Sequence, residues 1–99
     1  MTGDESEIDR LHREMVAGDH ARAILEDEQV KAALELLTSE AIDGWEKTGA
    51  GAIEQREQFW LWLKVTRRFR DIFQVALEHG EAARHMLENI EADRKADMM

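Results

Sequence analysis

The spacing of apolar side chains predicts helices along the whole chain. Ala, Leu, Glu, Arg and Gln, which favour helix, are abundant, and β-branched residues never alternate over the length of a strand. Proline, which interrupts helices, is absent. The pattern predicts an all-α fold, namely an antiparallel helical hairpin with a short N-terminal helix and a long aromatic third helix, with the option of a further C-terminal helix.

The first two predicted helices are defined by their capping residues. Asp19 caps a short helix that runs to Glu26. Asp27 then caps a second helix that begins at Glu28 and ends near Thr48, before a glycine. The apolar residues of the second helix form one stripe within about 80° of the helical wheel. They are Val30, Leu34, Leu37, Ala41 and Trp45.

The two ends of the chain carry little apolar surface. Residues 1–18 are acidic and polar, and Gly18 is a plausible helix break, so this segment is expected to be poorly ordered. Residues 92–99 have little to bury and are expected to fray. The predicted helical domain therefore covers residues 19–91.

The third predicted helix carries more apolar surface than one neighbour can cover. It runs from about Ala52 to His79, and Gly80 ends or kinks it. Its apolar side chains occupy an arc of about 200°, roughly twice the width that a single packing contact requires. The helix must therefore contact at least two partners. One candidate is a C-terminal apolar stripe of the same chain, and another is the same helix of a second subunit. The C-terminal stripe comprises Ala83, Met86, Leu87 and Ile90.

The aromatic residues of this helix are the candidate residues for association. A chain of 99 residues is marginally stable without help, and a hairpin offers a thin core. A dimer or larger bundle would cover the surplus apolar surface. The predicted interface residues are Phe59, Trp60, Trp62, Phe69 and Phe73.

Trp60 differs from the other aromatic residues because it falls outside the apolar arc. It shares the outer face of the helix with Arg67 and Gln74, and its spacing from Arg67 permits stacking. An exposed aromatic residue beside Arg is typical of a binding anchor. The alternative is a half-buried side chain that the N-terminal segment covers.

Acidic and basic residues are unevenly distributed. The chain has 22 acids, 13 bases and a net charge of −9, and residues 1–55 carry 14 of the acids. A basic cluster lies on the third helix. Its charges straddle the apolar arc, which disfavours a DNA-reading helix and favours ion pairing with Glu35, Asp43 and Glu46 of the second helix. The candidate charge contacts are Arg67, Arg68 and Arg70, with Lys64 beside them.

Arg70 has a requirement of its own, because it lies within the apolar arc. Its guanidinium is expected to need a carboxylate or carbonyl partner there.

The sequence offers no catalytic or metal-binding motif. Without Cys there is no thiolate ligand, nucleophile or disulfide. No two of the four His residues have the spacing of a helical metal pair, and the Glu81–His85 spacing is a weak signal. We therefore expect no enzyme activity, metal or cofactor. The longest apolar run, Phe59 to Leu63, is too short to span a membrane, and the polar N-terminus is unlike a secretory signal.

From Arg22 to Ala82 the chain resembles a group of small helical proteins of tailed bacteriophages and prophages. The stretches that carry the resemblance are AILED at 23–27 followed by Val30, WEKT at 45–48, QREQFWLWLK at 55–64 with Arg67-Arg68, and EHG at 78–80. The group usually has Asp-Pro where this chain has Asp27-Glu28. The resemblance implies a phage or prophage origin, a helical hairpin, and a role in the host cytoplasm or in an assembling particle.

Three functional hypotheses remain open at this point. The leading one is a non-enzymatic, oligomeric interaction protein that assists virion assembly or DNA packaging, with itself or a phage or host protein as partner. The second is an acidic inhibitor that mimics nucleic acid and occupies a basic groove of a host nuclease or DNA-binding protein. The third is a packaging subunit that binds DNA only when several copies combine Arg67 and Arg68; direct nucleic-acid binding by the monomer is not expected at this net charge.

Overall fold

The computed structural model describes residues 5–98 and contains only helices there. The helices are α1 (Glu5–Glu26), α2 (Glu28–Lys47) and α3 (Ile53–Asp97). No strand occurs within the described residues, so the predicted all-α class is confirmed.

Helix α1 is much longer than the predicted Asp19–Glu26 helix. It begins at Glu5 and continues through Gly18, so the helix break predicted at Gly18 is wrong. Residues 5–18, which were expected to be poorly ordered, are helical, and residues 1–4 lie outside the described part of the chain. The physical reason is tertiary contact, because Leu11 and Gly18 are both buried in the fold. A polar sequence of good helix formers needs only a few such contacts to remain helical.

Helix α2 has the predicted ends. The Asp27 carboxylate accepts hydrogen bonds from the backbone N–H groups of Gln29 and Val30, at 2.8 and 3.0 Å. These bonds satisfy two amide groups that the first helical turn leaves without a partner. The last helical residue is Lys47, and the backbone N–H of Thr48 donates to the carbonyl of Trp45.

Helix α3 is a continuous helix of 45 residues. It passes through Gly80 without ending, so the end predicted at His79 is wrong, and the C-terminal stripe belongs to the same helix. Residues 92–97, which were expected to fray, belong to α3. A single glycine costs a helix about 1 kcal/mol, which packing contacts readily offset.

The chain divides into two compact units. Unit 1 comprises Met1–Ala23 and Phe73–Met99, and unit 2 comprises Ile24–Ile72. Unit 1 therefore contains most of α1 and the second half of α3, whereas unit 2 contains α2 and the first half of α3. Neither boundary coincides with an end of the helical domain predicted over 19–91.

In unit 1, α1 and α3 touch through their backbones at Gly18 and Gly80. A Cβ atom added to either glycine would lie 2.7 Å from the Cα of the other. Ala21 and Ala83 are buried nearby. Small side chains at these positions allow the two helix axes to approach closely.

Two ion pairs between α1 and α3 lie at the surface of unit 1. Arg84 Nη2 is 2.9 Å from Asp19 Oδ1, and Arg22 Nη2 is 2.8 Å from Glu81 Oε1. All four side chains are about half exposed, so each pair contributes little to the free energy of unfolding. The buried small and apolar residues hold this unit together.

In unit 2, α2 packs along the first half of α3. The buried residues are Leu34 and Ala41 of α2 with Leu63 and Thr66 of α3. The Thr66 hydroxyl donates to the carbonyl of Trp62 at 2.9 Å, so its burial leaves no polar atom unsatisfied. Near the other end of the interface, the Phe59 ring rests against Gly44, where a Cβ would overlap the ring.

Candidate association surface

The structure separates the five predicted interface residues between the two units. Phe59, Trp60, Trp62 and Phe69 belong to unit 2, whereas Phe73 belongs to unit 1 and is partly buried. Phe59 and Trp62 stack, with ring centroids 6.1 Å apart and planes inclined by 14°. The candidate surface is therefore built on the first half of α3, with α2 beside it.

One flank of the α2–α3 interface is an open apolar groove, which we call the Trp62 groove. Its volume is about 420 Å³. Nearly all of its surface is apolar, because one helix supplies Val, Ala and Leu and the other supplies Trp, Val and Phe. The lining residues are Gln29, Val30, Ala33, Leu34, Leu37, Trp62, Val65, Thr66 and Phe69.

The α3 wall of the Trp62 groove continues as a row of exposed apolar side chains. Trp62, Val65, Phe69 and Ile72 follow one another at steps of three, four and three residues. Their exposed fractions are 41%, 67%, 45% and 51%. Four consecutive members of one helix stripe are thus each more than two-fifths exposed, and we call them the exposed seam.

The opposite flank holds a smaller groove around Trp60, of about 230 Å³, which we call the Trp60 groove. Trp45 and Trp60 lie at its edges, and both are more than two-fifths exposed. The remaining lining residues are Ala41, Ile42, Glu46, Phe59 and Leu63. The cation over the Trp60 ring is Lys64, whose Nζ is 5.2 Å from the ring centroid, rather than the predicted Arg67. Lys64 lies one helical turn from Trp60, whereas Arg67 lies two turns away.

Arg56 has a role that the sequence analysis missed. Its guanidinium carbon is 4.3 Å from the centroid of the Trp45 ring, and its Nη1 donates to the carbonyl of Thr48 at 3.2 Å. Arg56 therefore ties the connection between α2 and α3 to the end of α2. Nothing in the local pattern indicates this contact, because the three residues meet only when the two helices pack.

The basic cluster does not form the predicted ion pairs. Within residues 5–98, no salt bridge joins α2 to α3, and Arg67, Arg68 and Arg70 form none at all. Arg70 is exposed, so it does not require the carboxylate or carbonyl partner expected from its position in the apolar arc. The reason is that α2 covers only part of that arc. The first half of α3 thus presents three arginines without a salt bridge within residues 5–98, on the same helix as the exposed apolar side chains.

The charged side chains of unit 1 line a shallow hollow of about 500 Å³. Most of them are paired with one another. Glu81 pairs with Arg22, and His85 Nδ1 lies 3.9 Å from a Glu88 oxygen. The spacing of Glu81 and His85 gave a weak signal for a metal-ligand pair, and both side chains have other partners in the structure. Among residues 5–98 there is no group of three or more His, Asp or Glu side chains that could hold a metal ion.

Comparison with known proteins gives no assignment for this arrangement. No family model matches the chain, and neither a curated protein nor a solved structure shows significant similarity to it. Within the described part of the chain, no helix has the length and apolarity needed to cross a membrane.

Proposed function

We propose that this chain is a non-enzymatic helical interaction protein of phage or prophage origin. It acts as an oligomer or with a phage or host protein partner, and it assists virion assembly or DNA packaging in the host cytoplasm or in the assembling particle. The phage origin and the stage of action rest on the resemblance carried by residues 22–82. The mode of action rests on the surface of unit 2.

The observation that carries the proposal is the exposure of large apolar side chains along the first half of α3. Trp60, Trp62 and Phe69 are each more than two-fifths exposed, although aromatic residues gain most from burial. Contiguous apolar surface of this kind on a small protein is typical of a binding surface. Aromatic and Arg side chains, which unit 2 places together, are also enriched in interface residues that dominate binding energy.

The nucleic-acid-mimicking inhibitor receives less support. Mimicry requires rows of carboxylates with phosphate-like spacing and few cations between them. In unit 2 the acidic helix α2 packs against α3, which carries exposed cations, and Lys31 pairs with Glu28 on α2 itself. In unit 1 the acids Asp19 and Glu81 already pair with arginines.

The proposal is tested by recovery of partners from bacteria that carry the phage or prophage. The bait chains are the wild type, a Trp60→Ala/Val65→Glu variant of the unit 2 surface, and Met86→Glu as a matched change of an exposed apolar residue in unit 1. We expect the wild type and Met86→Glu to recover capsid, tail or packaging proteins after crosslinking, and the surface variant to lose them. Equal recovery by the wild type and the surface variant would overturn the proposal.

A further inference from the structure

We infer that the Trp60 groove and the cations next to it bind an acidic helix of a partner protein. The inference rests on the proposed function, because it names the chemistry of the protein partner that unit 2 would bind. It is carried by a cluster of four exposed residues on one face of α3, which we call the Trp60 patch. The residues of the patch are Trp60, Lys64, Arg67 and Arg68.

The four residues of the Trp60 patch lie close together on the surface of α3. At about 100° per residue, they fall within a sector of about 100° of the helix circumference. All four side chains are exposed, and the exposed fraction of Trp60 is 47%. A partner that lies along this face can therefore contact all of them at once.

The Trp60 patch is positively charged, although the whole chain has a net charge of −9. The sequence between Glu57 and Asp71 contains no acidic residue, so no carboxylate of α3 lies among the cations of the patch. No acid of α2 pairs with these cations, because no salt bridge within residues 5–98 joins the two helices. The positive charge is thus available to the carboxylates of a partner.

The patch begins at the Trp60 groove, which supplies an apolar site beside the cations. The groove has a volume of about 230 Å³, and Ile42, Phe59 and Leu63 form its walls together with the tryptophans. Lys64 Nζ lies 5.2 Å from the centroid of the Trp60 ring. A partner with an apolar side chain in the groove therefore meets its first cation at the edge of the groove.

Glu46, the charged residue that lines the Trp60 groove, determines on which side the acids of the partner lie. It follows Trp45, whose ring centroid is 4.3 Å from the guanidinium carbon of Arg56. Glu46 therefore lies toward the beginning of α3 and away from Arg67. Because like charges repel, acids of the partner are disfavoured near Glu46 and favoured along the three cations of the patch.

The rise of an α-helix sets the spacing that the partner needs. At 1.5 Å per residue, Lys64 lies about 6 Å and Arg67 about 10 Å from Trp60 along the axis of α3. A helix packed alongside α3 meets these cations when its acids stand four and seven residues from its apolar anchor. The anchor can precede or follow the acids, since both chain directions give the same spacing. An amphipathic helix in an apolar groove is a recurrent mode of recognition.

The residues at the two ends of the patch favour a short acidic helix over nucleic acid. Glu57 and Asp71 lie on the same face of α3, one before Trp60 and one after Arg68, about 21 Å apart along the helix axis. Duplex DNA carries one phosphate charge about every 1.7 Å along its axis, so a duplex on the patch would run past both carboxylates. A helix of a partner protein can place its acids between them.

The test measures the binding of labelled synthetic peptides by fluorescence anisotropy, at protein concentrations from about 1 µM to 1 mM. Two helical, alanine-based acidic peptides carry one Leu and two Glu, with the Glu residues four and seven positions after the Leu in one peptide and before it in the other. In the control peptides, Gln replaces both Glu residues or Ala replaces the Leu. We expect one acidic peptide to bind the wild type, and its two controls to bind about tenfold more weakly or less.

The matching protein variant is Arg67→Gln/Arg68→Gln. It should bind the acidic peptide about tenfold more weakly than the wild type, because two of the three cations of the patch are removed. Arg13→Gln/Arg94→Gln is the control with the same change of net charge, since both arginines are exposed and lie in unit 1, and it should bind like the wild type. Circular dichroism checks that all three chains are equally helical.

Three outcomes would overturn the inference: neither acidic peptide binds the wild type at about 1 mM, the Gln peptide binds as tightly as the acidic one, or Arg67→Gln/Arg68→Gln binds like the wild type. Tighter binding of single-stranded or duplex DNA than of the acidic peptide would assign the patch to nucleic acid and would also overturn it. Loss of self-association in Arg67→Gln/Arg68→Gln would assign the patch to a second copy of the chain, with the same consequence.

These outcomes are distinct from a failure of the proposed function, which depends on partner recovery from phage-bearing cells. If phage components are recovered but the acidic peptides do not bind, the inference is wrong and the proposed function stands. If the peptides and variants respond as expected but no phage component is recovered, the inference is supported and the proposed function is overturned.

Discussion

At the residue scale, Gly18 and Gly80 are the positions where α1 and α3 come closest. A Cβ at either position would meet backbone atoms, including the carbonyl oxygens of Ala76 and Glu14 at 3.1 and 3.0 Å. Backbone cannot move aside as a flexible side chain can. Glycine is therefore required at both positions by the packing, although each lies inside a helix where alanine has the higher propensity.

We expect Gly80→Ala to lower the free energy of unfolding by about 1–3 kcal/mol, because overpacking outweighs the gain in helix propensity of about 1 kcal/mol. Urea unfolding followed by circular dichroism measures the change. Gly51→Ala is the control, since nothing lies within 4 Å of its added Cβ, and it should stay within about 0.5 kcal/mol of the wild type. If Gly80→Ala had the same free energy of unfolding as the control, α1 and α3 could move apart without loss of stability, and the requirement for glycine would be contradicted.

Partial exposure also changes what is expected of Phe69. A fully buried Phe would cost about 3–5 kcal/mol on replacement by Ala. Because Phe69 is 45% exposed, we expect Phe69→Ala to cost about 1–2 kcal/mol. Leu63→Ala, at a buried position of the same helix, should cost about 2–5 kcal/mol. The two losses are compared by urea unfolding at a concentration low enough to keep the chain monomeric. A larger loss of stability in Phe69→Ala than in Leu63→Ala would contradict the burial of Leu63 and the exposure of Phe69.

At the element scale, the two ends of α2 are stabilised by contacts with the residues that connect it to α1 and to α3. Asp27 caps the N-terminus, and Arg56 binds the Thr48 carbonyl just after the C-terminus. The first contact is local and is visible in the sequence. The second depends on α3 lying beside α2, and this is why the sequence pattern does not indicate it.

We expect Asp27→Ala to lower the free energy of unfolding by about 1 kcal/mol, because two backbone N–H groups lose their acceptor. Asp27→Ser keeps an oxygen in a similar position and should retain most of the stability. Thermal unfolding by circular dichroism distinguishes the two variants. Equal losses for Ala and Ser would indicate that the carboxylate acts through its charge and not as a hydrogen-bond acceptor.

At the scale of the whole molecule, the small buried core and the exposed apolar surface have the same cause, because the helices offer too little surface to cover the apolar side chains of α3. Among residues 5–98, six hydrophobic residues are buried, and three of them are alanines. Most of the large apolar side chains of α3 are instead partly exposed. In unit 2, α2 covers one face of the first half of α3, and the apolar side chains that it leaves exposed are the basis of the proposed association.

Trp60 separates the two surfaces of unit 2. We expect Trp60→Ala to change the free energy of unfolding by less than about 1 kcal/mol, because the ring is half exposed and lies outside the Trp62 groove. Self-association, measured by light scattering, should stay the same, while crosslinked recovery of a phage or host protein should fall. Val65→Glu provides the reciprocal control, since it places a carboxylate on the exposed seam and should weaken the proposed self-association. Loss of self-association in Trp60→Ala would place the surface of the proposed self-association on the Trp60 flank instead.

The sequence by itself determined the helical character of this protein, the N-cap at Asp27, the end of α2 and the surplus of apolar surface on α3. These properties follow from propensity, capping and periodicity, which act over a few residues. Only the tertiary structure decided that Gly18 and Gly80 join two helices and do not end them, because that outcome depends on residues 62 positions apart in the chain. It also decided that α2 covers one part of the α3 arc and leaves Val65 and Arg70 exposed, because coverage depends on how two helices pack and not on the pattern of either one.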